Sequence, residues 1–376
     1  MTTRLDRVIQ QALDQRRIVG AVVLVNRDGE RVYSKAAGQA DRETASPMRE
    51  DTIFRLASLT KPVVSATVMA LVEDGCLALD APVTRYLPNF RPRLADGSEP
   101  DITLHQLLTH TAGLGYRFAT PHTSDYQRLD VSDGLDQPGL GIDENLDRLN
   151  DAALLFAPGK RWNYSLAIDV LGAVIERVEG RRLGEVVRDR VTTPLKMLDS
   201  GFQVSDPSRL AKPYADGTPE PVAMNDEMSV PLDIPGLQGA VRFAPNRVLN
   251  SDSYHSGGAG MVGTAGDLLC FLEALRMGGT GLLKSQTVQK MMQDHVGIRA
   301  QTQGPGWGFG YGWAVLSDAG QSSSPQSQGT IQWGGVYGHY WFVDPIKKLT
   351  VISLTNTTFE GMSGAFPFAI RDAIYA

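Results

Sequence analysis

The feature that most constrains this chain is the run Val63 to Val72, which holds only Ser65 and Thr67 as polar residues. Wound as a helix, it is apolar on nearly every face, and such a helix belongs in an interior. It is far shorter than the ~20 residues that a membrane span needs, so that interior is a protein core. Gly75 suits the position just past a helix end. Pro62, which lacks an N–H, is tolerated only around a first turn. Residues 58–61 are therefore expected at the mouth of a buried helix.

A core of that kind needs enough chain to wrap it. The sequence has 376 residues, 42% hydrophobic and 21% charged, which is ordinary globular composition and long enough for two structural units. The formal net charge of -6 argues against a nucleic-acid-binding surface. Two cysteines, Cys76 and Cys270, cannot build a disulfide framework. Both fall in apolar stretches and are expected to be small buried hydrophobes. Met1 to Arg17 is polar and charged and lacks the apolar core of a secretory signal. A cytoplasmic protein with neither membrane nor nucleic-acid partner is the expectation. The oligomeric state is not legible.

Along the chain, Leu5, Val8, Ile9 and Leu13 have helical spacing within residues 3–16. Gly20 to Val25 and Arg31 to Ala37 read as two strands of a hairpin with Asp28-Gly29 at its tip. Helices are expected near 104–108, 144–156, 166–178 and 183–191, separated by long Gly/Pro/Asp-rich connections at 117–143 and 213–239. Helices at 264–277 and 284–293 follow. Strands are expected at 311–316, 330–333, 340–343 and 349–354, and a last helix at 364–375. Strands at both ends and helices between predict an α+β protein: an antiparallel sheet flanked by helices, formed by residues 1–85 and 241–376, with a mostly helical insertion over 86–240. The cleft between the two units is the expected site.

The usual serine-hydrolase elbow, Gly-x-Ser-x-Gly, is absent; Gly361-Met362-Ser363-Gly364-Ala365 lacks the last glycine, so Ser363 is a poor nucleophile candidate. The six histidines show no compact metal-ligand spacing. Gly257-Gly258-Ala259-Gly260 reads as close backbone packing, not a phosphate loop. The informative piece is Ser58-Leu59-Thr60-Lys61, the one Ser-x-x-Lys in the chain. Three residues apart at a helix start, the two side chains share a face. An amine there could accept the hydroxyl proton or stabilise a neighbouring anion, and the free N–H groups of the helix start suit developing negative charge. The bland alternative is a capping serine beside a surface lysine. Tyr164, in Trp162-Asn163-Tyr164-Ser165 just before a helix, could aim its hydroxyl at the same cleft, or be an ordinary core tyrosine. Trp333-Gly334-Gly335-Val336 ends a strand, where adjacent glycines let a ligand approach the backbone, or merely form a hairpin.

These pieces, in this order, resemble the serine β-lactamase and penicillin-binding-protein superfamily, and within it the family VIII carboxylesterases, which are similar to class C β-lactamases. Supporting segments are Ser58 to Lys61, Leu107 to Leu114, Tyr164 to Leu166, Gly257 to Asp267 and Trp333 to Gly335. The resemblance implies a β-lactamase/transpeptidase-like fold, no cofactor, and an acyl-enzyme on Ser58 that water hydrolyses. It implies that Lys61 and Tyr164 together remove and return the Ser58 proton, and that the backbone N–H groups of Ser58 and Val336 form the oxyanion hole. His110 looks structural in the family.

Two departures bear on substrate. Trp333-Gly334-Gly335 replaces the family's Lys-Thr-Gly, so the cation that would attract a substrate carboxylate is missing and a neutral, apolar group is favoured. Tyr164-Ser165-Leu166 lacks the asparagine of Tyr-x-Asn. Both point to a small-molecule, short-chain ester, with some β-lactam hydrolysis retained. Tyr116, Trp333, Gly334 and Gly335 are candidate substrate contacts; Asp169 and His339 are candidate supporting residues. The alternatives are a β-lactamase, D-amino-acid peptidase, amidase or acyltransferase on the same fold, or an inert penicillin-recognising scaffold.

Overall fold

The computed structural model describes residues 1–232 and 239–376; residues 233–238, part of the 213–239 connection, lie outside it. Eight strands form one antiparallel sheet: β1 (Gly20–Arg27), β2 (Glu30–Asp41), β3 (Ser46–Pro47), β4 (Trp307–Phe309), β5 (Ala314–Leu316), β6 (Ile331–Gly335), β7 (His339–Asp344) and β8 (Leu349–Thr355). Their order across the sheet is β4-β5-β6-β7-β8-β1-β2-β3. The first strand of the chain thus pairs with the last, Ala21 opposite Thr355 through Arg27 opposite Leu349. Asp28 and Gly29, both with positive φ, close the β1–β2 hairpin in the sense that suits strand twist.

Alternate residues of a strand face opposite sides, and both sides of this sheet are covered. Ala21, Val23 and Val25 join Phe342 and Val351 against helices α1 (Thr2–Asp14) and α5 (Ala365–Tyr375). Val22 and Leu24 join Trp341, Ile352 and Leu354 in the larger core, which includes α2 (Thr60–Glu73), α3 (Ala167–Glu179) and α4 (Ala265–Arg276). Two-sided cover is why β1 reads as an unbroken apolar run instead of an alternating one. Helix α2 is buried from Thr60 to Met69, as its all-round apolar sequence requires. Among the described residues no helix is long and apolar enough to cross a membrane.

Several sequence expectations need correction. The 311–316 strand begins only at Ala314, because Gly312, at φ +104°, turns the chain against α2, where a Cβ would lie 2.8 Å from Ser65 Oγ. Trp307–Phe309, masked by surrounding glycines, supplies the edge strand. The helix expected at 144–156 spans Ile142–Asp151; beyond it the Leu154 and Leu155 N–H groups bond to Arg93 and Gly113 carbonyls. Cys76 and Cys270 are both exposed: Cys76 lies just past the end of α2, and Cys270 is on the solvent side of α4, whose buried face is made by Leu268, Leu269, Phe271 and Leu272.

Candidate active site

The segment before α2 is pinned on both sides. Phe54–Arg55 pairs with Val262–Gly263, the Leu56 N–H bonds to Met261 O, and the Met261 N–H returns to Thr60 Oγ1. Ala57 then takes a left-handed φ of 45°, uncommon for a residue with a Cβ and a mark of local strain. A 3-10 turn over Ala57–Leu59 leads into α2, so Ser58 lies in the turn before the helix proper. Ser58 is the one residue from Thr52 to Met69 that is not buried.

Three parts of the chain meet at its hydroxyl. Lys61, fully buried, donates from Nζ to Ser58 Oγ at 3.1 Å and to Gly258 O at 2.8 Å. Tyr164 donates from its phenol to Ser58 Oγ at 2.6 Å. The Lys61 ammonium also lies over the rings of Tyr164 (4.7 Å) and Tyr116 (5.3 Å), a cation–π arrangement. Tyr164 is held by the His110–Gly115 segment: Asn163 N–H bonds to His110 O, Asn163 Nδ2 to Leu114 O and Leu166 N–H to Gly115 O. His110 pairs Nδ1 with Ser165 Oγ and packs its ring 5.1 Å from that of Tyr164. Burial, with Lys61 nearby, holds His110 well below the usual imidazole pKa and therefore neutral.

The third side is β6. A Cβ on Gly335 would lie 2.6 Å from Leu56 O, so only glycine lets this strand approach the Ser58 turn so closely. Among the described residues neither the Ser58 nor the Val336 N–H has a hydrogen-bond acceptor. Trp333 packs 5.2 Å from the Tyr164 ring and 5.3 Å from Phe309. A Cβ on Gly334 would press on the Met362 side chain. Tyr116 stacks on Phe118 (4.7 Å), and burial pushes its phenol well above the usual pKa. The Arg117 and Phe118 N–H groups donate to Asp133, whose carboxyl is pushed up to about 7 by burial and by Asp136.

Asp169 and His339 do not touch Ser58. Asp169, buried on α3 with a raised pKa from desolvation, accepts from Ser256 Oγ at 2.5 Å; its other oxygen lies against the Gly258 backbone. It thus braces the turn whose Gly258 carbonyl receives Lys61. His339, held near pKa 4 by burial, donates from Nε2 to Arg55 O at 2.8 Å. Ser363 ends the Thr358–Met362 helix, its N–H bonded to Phe359 O, and takes no part. Sequence reading missed Gly258 as the lysine's acceptor, and Phe309 with Trp162, whose rings lie 5.6 Å apart, as aromatic neighbours of Tyr164 and Trp333; isolated residues of these types carry no spacing signal. Among the described residues no three His, Cys, Asp or Glu side chains gather where they could hold a metal ion.

This geometry can be set beside known proteins. The family profile described as Beta-lactamase matches residues 5–373. Esterase EstB of Burkholderia gladioli is 56% identical over 376 residues, covering 100% of this chain and 95% of its own. Lovastatin esterase of Penicillium rubens is 27% identical over 92% of this chain and 90% of its own. Among solved structures, EstCE1, described as a hydrolase with promiscuous acyltransferase activity, superposes with a TM-score of 0.97 at 48% identity, covering 100% of this chain and 98% of that one. With a hydroxyl, an amine and a phenol joined at one buried turn, and a family match running almost from end to end, the chain belongs to the Beta-lactamase family.

Proposed function

We propose that this protein is a carboxylesterase that hydrolyses short-chain esters through an acyl-enzyme on Ser58. The carrying observation is that Tyr164 and Lys61 both reach Ser58 Oγ within hydrogen-bond distance from separate parts of the chain. In this reading the reactive form of the Tyr164–Lys61 pair is one proton short of a phenol beside an ammonium, so Ser58 Oγ attacks the ester carbonyl as its own proton passes to that pair. The tetrahedral oxyanion is met by the Ser58 and Val336 N–H groups. The carbonyl re-forms as the alkoxide departs and takes that proton. Water then attacks the acyl-enzyme, gives a proton to the same pair, and Ser58 recovers it as the acid leaves.

Trp333, ringed by Tyr164 and Phe309, favours a neutral, apolar substrate part over a carboxylate. This ranks esters above β-lactams and D-amino-acid peptides, and fits a family VIII carboxylesterase. A second reading, acyl transfer to an alcohol in place of water, is supported by the likeness to EstCE1. We read residues 1–85 and 241–376 as one unit and 86–240 as the other; the sheet drawn from both chain ends supports this. Two exposed free thiols favour the cytoplasm.

A fluorophosphonate probe followed by peptide mapping tests the site, and the expected label is on Ser58. Label on any other serine refutes the assignment. Turnover of nitrocefin or D-alanyl peptides well above that of p-nitrophenyl butyrate would reverse the substrate ranking.

A further inference from the structure

A second site is built around Arg247, away from Ser58. Arg247 as a whole is 5% exposed. It donates from Nε to Asp136 O and from one terminal nitrogen to Tyr254 O, and lies 4.5 Å over the Tyr254 ring. Its other terminal nitrogen has no hydrogen-bond partner and no carboxylate pairs with it directly among the described residues, although the Asp169 carboxyl is near enough to feel its charge. A buried charge in that condition is costly unless something pairs with it. Arg247 lines a cavity of about 260 Å³. Arg55 offers a contrast: it is equally buried and bonded to carbonyls, but the void it lines is about 10 Å³, room for no more than a water.

The cavity holds a second donor. His255 accepts the Gly184 N–H at Nδ1, so its neutral ring carries the proton on Nε2. That N–H has no partner among the described residues, and His255 lines the same cavity. Burial, with Arg182 and Arg247 nearby, keeps the ring neutral at about pKa 4. Phe202 stacks on the His255 ring at 4.8 Å, and Val204, Val248 and Leu249 add apolar lining beside the polar Gln203, Asn250, Ser251 and Ser253. Leu249 is 51% exposed, an apolar rim at the surface. The volume suits a small molecule, and an anionic head with a short hydrocarbon tail matches this mixture of donors and apolar lining.

We propose that this cavity binds a short-chain carboxylate, its oxygens on the Arg247 guanidinium and His255 Nε2 and its tail along the apolar lining of Val204, Val248 and Leu249. Gly260, at the cavity edge, belongs to the turn whose Gly258 carbonyl receives Lys61. The site is therefore continuous with the support of the Ser58 centre while being separate from it. The proposal does not depend on the esterase reading, since it concerns binding alone.

The test is calorimetric titration of the full chain with hexanoate, with hexanol and inorganic phosphate as separate arms at matched ionic strength. Hexanoate is expected to bind at millimolar concentration or tighter and to outcompete both, because each control lacks one half of the ligand. Gln203→Glu places an anion on an exposed part of the cavity wall and is expected to weaken hexanoate by about tenfold. Arg247→Gln is expected to abolish binding; if loss of its carbonyl clamps unfolds it, the Gln203→Glu comparison decides. Phosphonylation of Ser58 is expected to leave hexanoate binding intact. No binding to the wild type, equal binding of phosphate, indifference to Gln203→Glu, or loss on phosphonylation would each overturn the proposal.

Discussion

The Tyr164 phenol donates to Ser58 Oγ at 2.6 Å across a sequence separation of 106 positions. Together with Lys61 at 3.1 Å, it gives one serine oxygen two hydrogen-bonding neighbours. Lys61→Ala and Tyr164→Phe are each expected to lower kcat for p-nitrophenyl butyrate by about 100-fold or more, the scale of an acid–base group. Circular dichroism separates this from misfolding. Near-native turnover in either variant removes that residue from the proton path.

Gly335 sits where a Cβ would press on Leu56 O at 2.6 Å. The Gly335→Ala substitution is expected to push β6 from the Ser58 turn. Overpacking of this kind costs about 1–3 kcal/mol in stability, and a shift of the Val336 N–H should cost kcat about tenfold or more. Thermal melts and steady-state kinetics read the two effects separately. An unchanged kcat would show that the spacing between β6 and Ser58 is not critical.

His339 holds the Ser58 turn from behind through Arg55 O. His339→Leu leaves that buried carbonyl unpaired, an expected loss of about 1–3 kcal/mol measured by denaturant unfolding. Its KM for a neutral ester should change little, because the ring does not face the hydroxyl. His339→Gln, which can still donate, is expected to recover part of the loss.

Asp133 gives a pH dependence whose sign is fixed. Its carboxyl is pushed up to about 7 in the fold, against an ordinary 3.8. The folded chain therefore holds this proton more tightly, and the resulting stability is complete below the ordinary value and is lost as pH rises through about 7. Asp133→Asn is expected to flatten the decline in Tm between about pH 5 and about pH 8. An unaltered slope would show that Asp133 does not titrate there.

What the sequence disclosed depended on periodicity and rarity. The all-apolar helix, the hairpin at Asp28-Gly29 and the C-terminal strands follow from local patterns and lie close to their expected positions. Ser58 and Lys61 stood out because their spacing is unique in the chain. Other features depend on contacts between distant segments. Gly258 acts through its carbonyl, which every residue has. Phe309 lies in a glycine-rich stretch where strand periodicity fails. Cys270 shows the limit of reading burial from composition: its neighbours Leu269 and Phe271 turn inward while it faces solvent.

The pairing of the first strand with the last sets a timing on activity. Ser58 and Lys61 leave the ribosome early, yet β1 cannot find its β8 neighbour, nor the Ser58 turn its β6 neighbour, until most of the remaining chain has been made. A half-synthesised or clipped polypeptide would carry Ser58 and Lys61 without β6 and β8 beside them. If Ser58 is the nucleophile proposed above, ester turnover is expected only once the C-terminal strands have been added.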